Sequence, residues 1–134
     1  MNEMIFLTGR VLFSVFFLMS GYNHLTKIGM MAQYAGSQGV PAPKLAVGFT
    51  GLMLVAGGLS ILLGYEPRWG ALLLVLFLIP TAVTMHRFWG VADPMMAQNQ
   101  MIHFWKNIVM AGAALMFYYF ATMYPEPWPY SLGR

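Results

Sequence analysis

The sequence predicts an all-α integral membrane protein: a four-helix bundle with a short interfacial helix between its first two spans, in one domain over residues 1–134. Three observations carry this expectation. Hydrophobic residues make up 59% of the chain and charged ones 8%, whereas about a quarter of a soluble domain is charged. The apolar residues gather in four runs, roughly 4–22, 45–64, 69–86 and 104–124, each close to the ~20 residues that cross a bilayer as a helix. None of the runs alternates polar with apolar residues as a barrel strand does, and lipid permits only helices or closed barrels to cross it.

The first run contains Arg10, about 9 Å along the helix from the start of the run. Two placements are open to it: snorkelling to the headgroups, or facing the bundle interior, where its planar fork could hold another helix or a ligand. Ser14 and Gly21 continue a small, polar stripe on the same side. Glu3 stands where a secretion signal would be basic, so the run is expected to remain as a span. In the connection that follows, "KIGMMAQYAGSQ" suits a short helix lying in the interface before "GVPAP" turns the chain.

The second run places Gly51 and Gly58 seven residues apart, with Gly57 and Gly64 repeating that spacing on an adjoining face. Such stripes suit close helix packing in lipid or, less simply, a slot for a ligand. "YEPR" is a tight turn, making the second and third spans antiparallel neighbours. Pro80 should kink the third span, which His86 closes. The third connection, "RFWGVADPMMAQNQMIH", carries an Asp-Pro break, and "HFWKN" marks where the fourth span leaves the interface. On that span Asn107, Ala111 and Ala114 share a small face, while Lys106 can snorkel. The tail "PEPWPYSLGR" should be extended and non-helical.

With four spans, His24, His86, His103, Lys106 and Asn107 fall on one side of the membrane. Lys27, Lys44, Arg87 and Lys106 lie on that side, against Arg68 and Arg134 on the other. The positive-inside rule then favours cytoplasmic first and third connections with both termini external. The three histidines match no local ligand spacing, so no metal is expected. Hydrogen bonding of His86 to a headgroup or a quinone-type carbonyl is the simpler reading. For Asn107 an interhelical hydrogen bond and a ligand contact are both open. The chain has no cysteine, which removes disulfides and thiol redox chemistry within it. Its basic residues form no run, so no nucleic-acid partner is expected. No nucleophile–base pair or phosphate loop marks a catalytic residue.

Taken together, "GRVLFSVFFLMSGYNHL", "GSQGVPAP", "GGLSILLGYEPRWGALLL", "HRFW" and "FWKNIVMAGAAL", in that order, resemble the DoxX family of small four-helix membrane proteins. The resemblance draws attention to Arg10, Gly57, Gly58, Gly64, His86, Lys106 and Asn107. It implies a bacterial-type cytoplasmic (inner) membrane location and association with quinone-linked redox complexes. The family pattern places a glutamate in the second span shortly before the paired glycines. Here "LMLVAGG" puts Leu54 there, so a carboxylate relay or an ion pair with Arg10 is not implied for this chain.

The leading expectation is a subunit that holds a quinone or a lipid headgroup near His86, Lys106 and Asn107, for a redox partner protein that supplies the electron-carrying cofactor. A non-enzymatic membrane adaptor that recruits another protein is the alternative, and a small-solute carrier a third. Membrane lipid and a second copy of the chain are the other expected partners.

Overall fold

The computed structural model describes residues 1–133. It contains five helices: α1 (Asn2–Thr26), α2 (Ile28–Ser37), α3 (Pro43–Leu63), α4 (Pro67–Met85) and α5 (Pro94–Met123). There is no strand among the described residues. Three of the helices, α1, α3 and α4, are long and apolar enough to cross a membrane. Large apolar side chains such as Leu12, Leu45, Phe49, Leu76 and Val109 stand exposed around the outside, the pattern of a surface solvated by lipid rather than water. Arg134, one of the residues in the charge comparison above, lies outside the described residues.

The helix boundaries follow local chemistry. Pro43 and Pro67 open α3 and α4 at the first turn, where a missing N–H is harmless. The residues before them, Ala42 and Glu66, sit at positive φ of 45° and 44°. Gly64 ends α3 at φ 63°, a left-handed conformation that glycine adopts without a Cβ penalty.

The fourth run begins earlier than the sequence suggested. Asp93 accepts a hydrogen bond from the Met95 amide at 3.1 Å, and Pro94 follows at the first helical position. Asp-Pro is therefore a helix start here rather than a break. The helix runs on through "MMAQNQMIH", the third connection shrinks to 86–93, and "HFWKN" lies well inside α5. The first run also extends further, to Thr26. The tail is non-helical but packs back: Trp128 is buried, with its ring edge-on to Phe6 at 5.1 Å.

Packing runs α1 on α3, α3 on α4, and α4 on α5, with α2 against α3. Gly51 and Gly58 face α1, where a Cβ would meet His24 and Leu25 at one position and Leu18 and Phe17 at the other. Gly57 faces α4 instead and meets Leu74 and the carbonyl of Gly70. Phe17, Leu54, Ile61, Leu74, Leu78, Ala111 and Ala114 form the core. A smaller cluster of Ala32, Ala35 and Val47 seats α2.

A Cβ at Gly70 would overlap the Ser60 side chain. Gly70→Ala is therefore expected to cost about 1–3 kcal/mol, as overpacking does, whereas Gly112→Ala, with nothing within 4 Å, should be neutral. Thermal unfolding of both variants in detergent checks this contrast.

Candidate functional site

The last four carbonyls of a helix have no partner within it, and at the end of α3 each finds one. Ser60 O accepts from the Tyr65 amide at 3.1 Å and Leu63 O from the Leu132 amide at 2.8 Å. Arg10 takes the two between: Nε donates to Ile61 O at 3.1 Å and an Nη to Leu62 O at 2.6 Å. The same guanidinium donates to the Pro129 carbonyl and, at 3.3 Å, to Tyr130 O. It lies against both Phe6 and Trp128, 5.7 and 5.6 Å from their centroids. Arg10 thus faces inward, fully buried, and its fork is filled by protein carbonyls. It pins the tail beneath α3 and lies at the opposite end of the bundle from His86, Lys106 and Asn107. One turn away Ser14 Oγ is buried with no hydrogen-bond partner in the protein.

The other end is open. A cavity of about 480 Å³ lies among all five helices, within the usual range for small-molecule sites. Phe16, Met31, Val47, Phe77 and Leu78 supply apolar walls. His24, His86, Lys106 and Asn107 supply polar groups, with the hydroxyls of Thr50 and Thr84. Three of the residues singled out from sequence, His86, Lys106 and Asn107, therefore line one cavity.

Each is held by neighbours from another part of the chain. His86 Nδ1 lies 3.2 Å from Gln100 Oε1, Gln100 Nε2 donates to the Tyr34 hydroxyl at 2.9 Å, and Tyr34 donates to Met85 O at 3.2 Å. His103 stacks on His86 with ring centroids 5.2 Å apart. Lys106 Nζ donates to His103 Nδ1 at 3.4 Å and sits 5.1 Å from the centre of the Phe16 ring. Asn107 donates to Leu78 O over a long 3.5 Å, and His24 Nδ1 lies 2.8 Å from Ser20 O. Burial pushes the His86 imidazole below its ordinary pKa; the nearby His103 and Lys106 lower it further, while the Gln100 bond partly opposes them. At neutral pH His86 is thus an uncharged group able to accept one hydrogen bond.

Tyr34 and Gln100 were not singled out by sequence reasoning. Gln100 lay in a stretch read as a connection, and only the early start of α5 brings it one turn before His103 and Phe104. The glycines and alanines have packing positions: Gly51, Gly57, Gly58, Ala111 and Ala114 at helix contacts, and Gly64 at the α3 cap beside Arg10 and Ser131. Leu54 is fully buried in the core. No cluster of three or more metal-ligating residues occurs among the described residues.

The DoxX family profile matches residues 5–87. The chain belongs to the DoxX family. It is similar to inner membrane protein YphA of Escherichia coli (strain K12), with 32% identity over 115 residues that cover 86% of this chain and 81% of the relative. No solved structure matches. The matched segment holds α1 to α4 and His86, while Lys106 and Asn107 lie beyond it, so this DoxX cavity draws one wall from outside the family profile.

Replacing Arg10 by leucine leaves four carbonyls unpaired, and at about 1–3 kcal/mol for each buried unsatisfied group a marked drop in melting temperature is expected. Arg10→Lys should recover part of it, because an ammonium lacks the planar fork. Wild-type melting of both variants in detergent would show that the clamp contributes nothing.

Proposed function

We propose that this DoxX protein is a four-span subunit of the inner, cytoplasmic membrane that binds a quinone-type ligand in the cavity and serves a redox partner protein. In this reading α5 is the fourth span. Its 30 residues extend about 45 Å at 1.5 Å each, and the first turns carry the polar residues that lower its average hydropathy. Both termini then lie on the outer side and the cavity mouth on the cytoplasmic side, in keeping with the basic residues around it. The name of the YphA relative supports the inner membrane as the location.

The observation that carries the reading is the cavity itself, an apolar recess with an imidazole, an ammonium and a carboxamide in its lining. That combination suits an amphiphile with a small polar ring and a long apolar tail. The apolar walls take the tail, and His86, Lys106 and Asn107 orient the headgroup. A bound quinone would supply reversible two-electron, two-proton chemistry. The protein's own groups position the ring, keep its polar edge at the membrane face and offer His86 as a proton acceptor. Electrons come from or go to the partner, since the chain has no thiol of its own.

Mass spectrometry of the gently purified protein tests this directly. A stoichiometric quinone or quinol is expected in the wild type. It should be depleted in His86→Ala and in Asn107→Ala, with the double variant losing less than the sum because both act on one ligand. A stoichiometric protein partner with no small ligand would instead support the membrane adaptor.

A further inference from the structure

The polarity of the cavity's hydrogen-bonding groups can be worked out from carbonyls, which only accept. Met85 O receives the Tyr34 hydroxyl proton, so toward Gln100 the Tyr34 oxygen must accept. Gln100 therefore turns its NH₂ to Tyr34 and its oxygen to His86. His86 must then donate from Nδ1, and in the neutral ring the lone pair is left on Nε2. The same logic applies at His24, whose Nδ1 faces the Ser20 carbonyl, leaving the neutral ring's lone pair on Nε2. Asn107 gives one N–H to Leu78 O, leaving its second N–H and Oδ1 able to meet a ligand. Thr50 and Thr84 spend their protons on carbonyls of their own helices, at 2.8 Å each. Ser20 and Thr81 can act either way. Lys106 is the only ammonium in the lining.

We propose that the lone pair fixed on His86 Nε2 makes the cavity select a headgroup that donates hydrogen bonds, so that it takes the hydroxyl-bearing hydroquinone in preference to the quinone. The inference rests on the quinone-type reading above and names the form of the ligand. A quinone brings only carbonyl oxygens, which find donors at Lys106 and the second Asn107 N–H but leave the His86 lone pair unmet. A hydroquinone brings two O–H groups, and its oxygens can still accept from the ammonium. Gln100 is a positioning residue: it lies outside the cavity lining and, held by the Tyr34 hydroxyl, fixes which nitrogen of His86 carries the proton. Burial of His86, which disfavours its charged form, keeps Nε2 an acceptor at neutral pH.

The test titrates the purified protein anaerobically with decylubiquinol and with decylubiquinone, following heat by calorimetry. One satisfied against one unsatisfied buried group corresponds to about tenfold in affinity, so the quinol should bind about tenfold or more tightly. Gln100→Leu, which removes the acceptor that holds the proton on Nδ1, should bring the two affinities together. Nitrogen NMR of ligand-free wild type should place the His86 proton on Nδ1; a proton on Nε2 overturns the inference without any ligand. Equal or tighter binding of the quinone also overturns it while leaving the ligand reading intact. Failure of both probes to bind removes the ligand reading and this inference together.

Discussion

The four carbonyls at the end of α3 set the terms for the rest of the structure. In a bundle surrounded by lipid no bulk water reaches such groups, and each must be met by protein. A guanidinium suits the place twice over: its fork spans two adjacent carbonyls, and its charge lies at the negative end of the helix dipole. Drawing Arg10 inward brings α1 against α3 at that end. The donors left over, together with Phe6 and the Leu132 amide, then hold the proline-rich tail beneath the bundle. The hydrogen-bond partners of the buried cation are backbone carbonyls rather than a carboxylate.

The opposite end is built on different terms. Glycine contacts keep α1, α3 and α4 close along their length, because in lipid association depends on packing rather than on a hydrophobic drive. α5 departs from this pattern. It lies along α4 and reaches α1 through long side chains, Phe117 with Phe6 and Phe13, and Lys106 with Phe16. Where those side chains are aromatic, near the tail, the gap is filled. Nearer His86 it is bounded by α2 instead, and the cavity remains. Three helices drawn together by glycine contacts, with α5 packed closely on α4 but joined to α1 through long side chains, thus give a closed end and an open end.

Much of this was legible in sequence because it depends on composition and spacing. Apolar runs located α1, α3 and α4, the paired glycines marked helix faces, and "YEPR" placed the turn. Arg10 was recognisable as an intramembrane charge, but its partners were not. Four backbone carbonyls, two of them in a tail more than a hundred residues away, carry no side-chain signature. The start of α5 was misplaced because Asp-Pro was read as an interruption, although the same pair is a capping residue followed by proline at the first helical turn. That displacement hid Gln100, and with it the relay from Tyr34 to His86. His86, Lys106 and Asn107 were visible as polar residues on one side. Their shared cavity depends on how α2 packs, which periodicity does not encode.

The asymmetry between the two ends is the centre of this account, and thiol labelling tests it most directly, since the chain contains no native cysteine. Maleimide reacts with the thiolate, which forms only where water has access. Ser20 lines the cavity and Ser14 lies buried toward Arg10 on the same helix, so Ser20→Cys and Ser14→Cys differ in place but hardly in volume. Labelling rates measured in native membranes should be fast for cysteine at position 20 and negligible at position 14. Equal rates, or faster labelling at position 14, would contradict a bundle closed by Arg10 at one end and open beside His86 at the other.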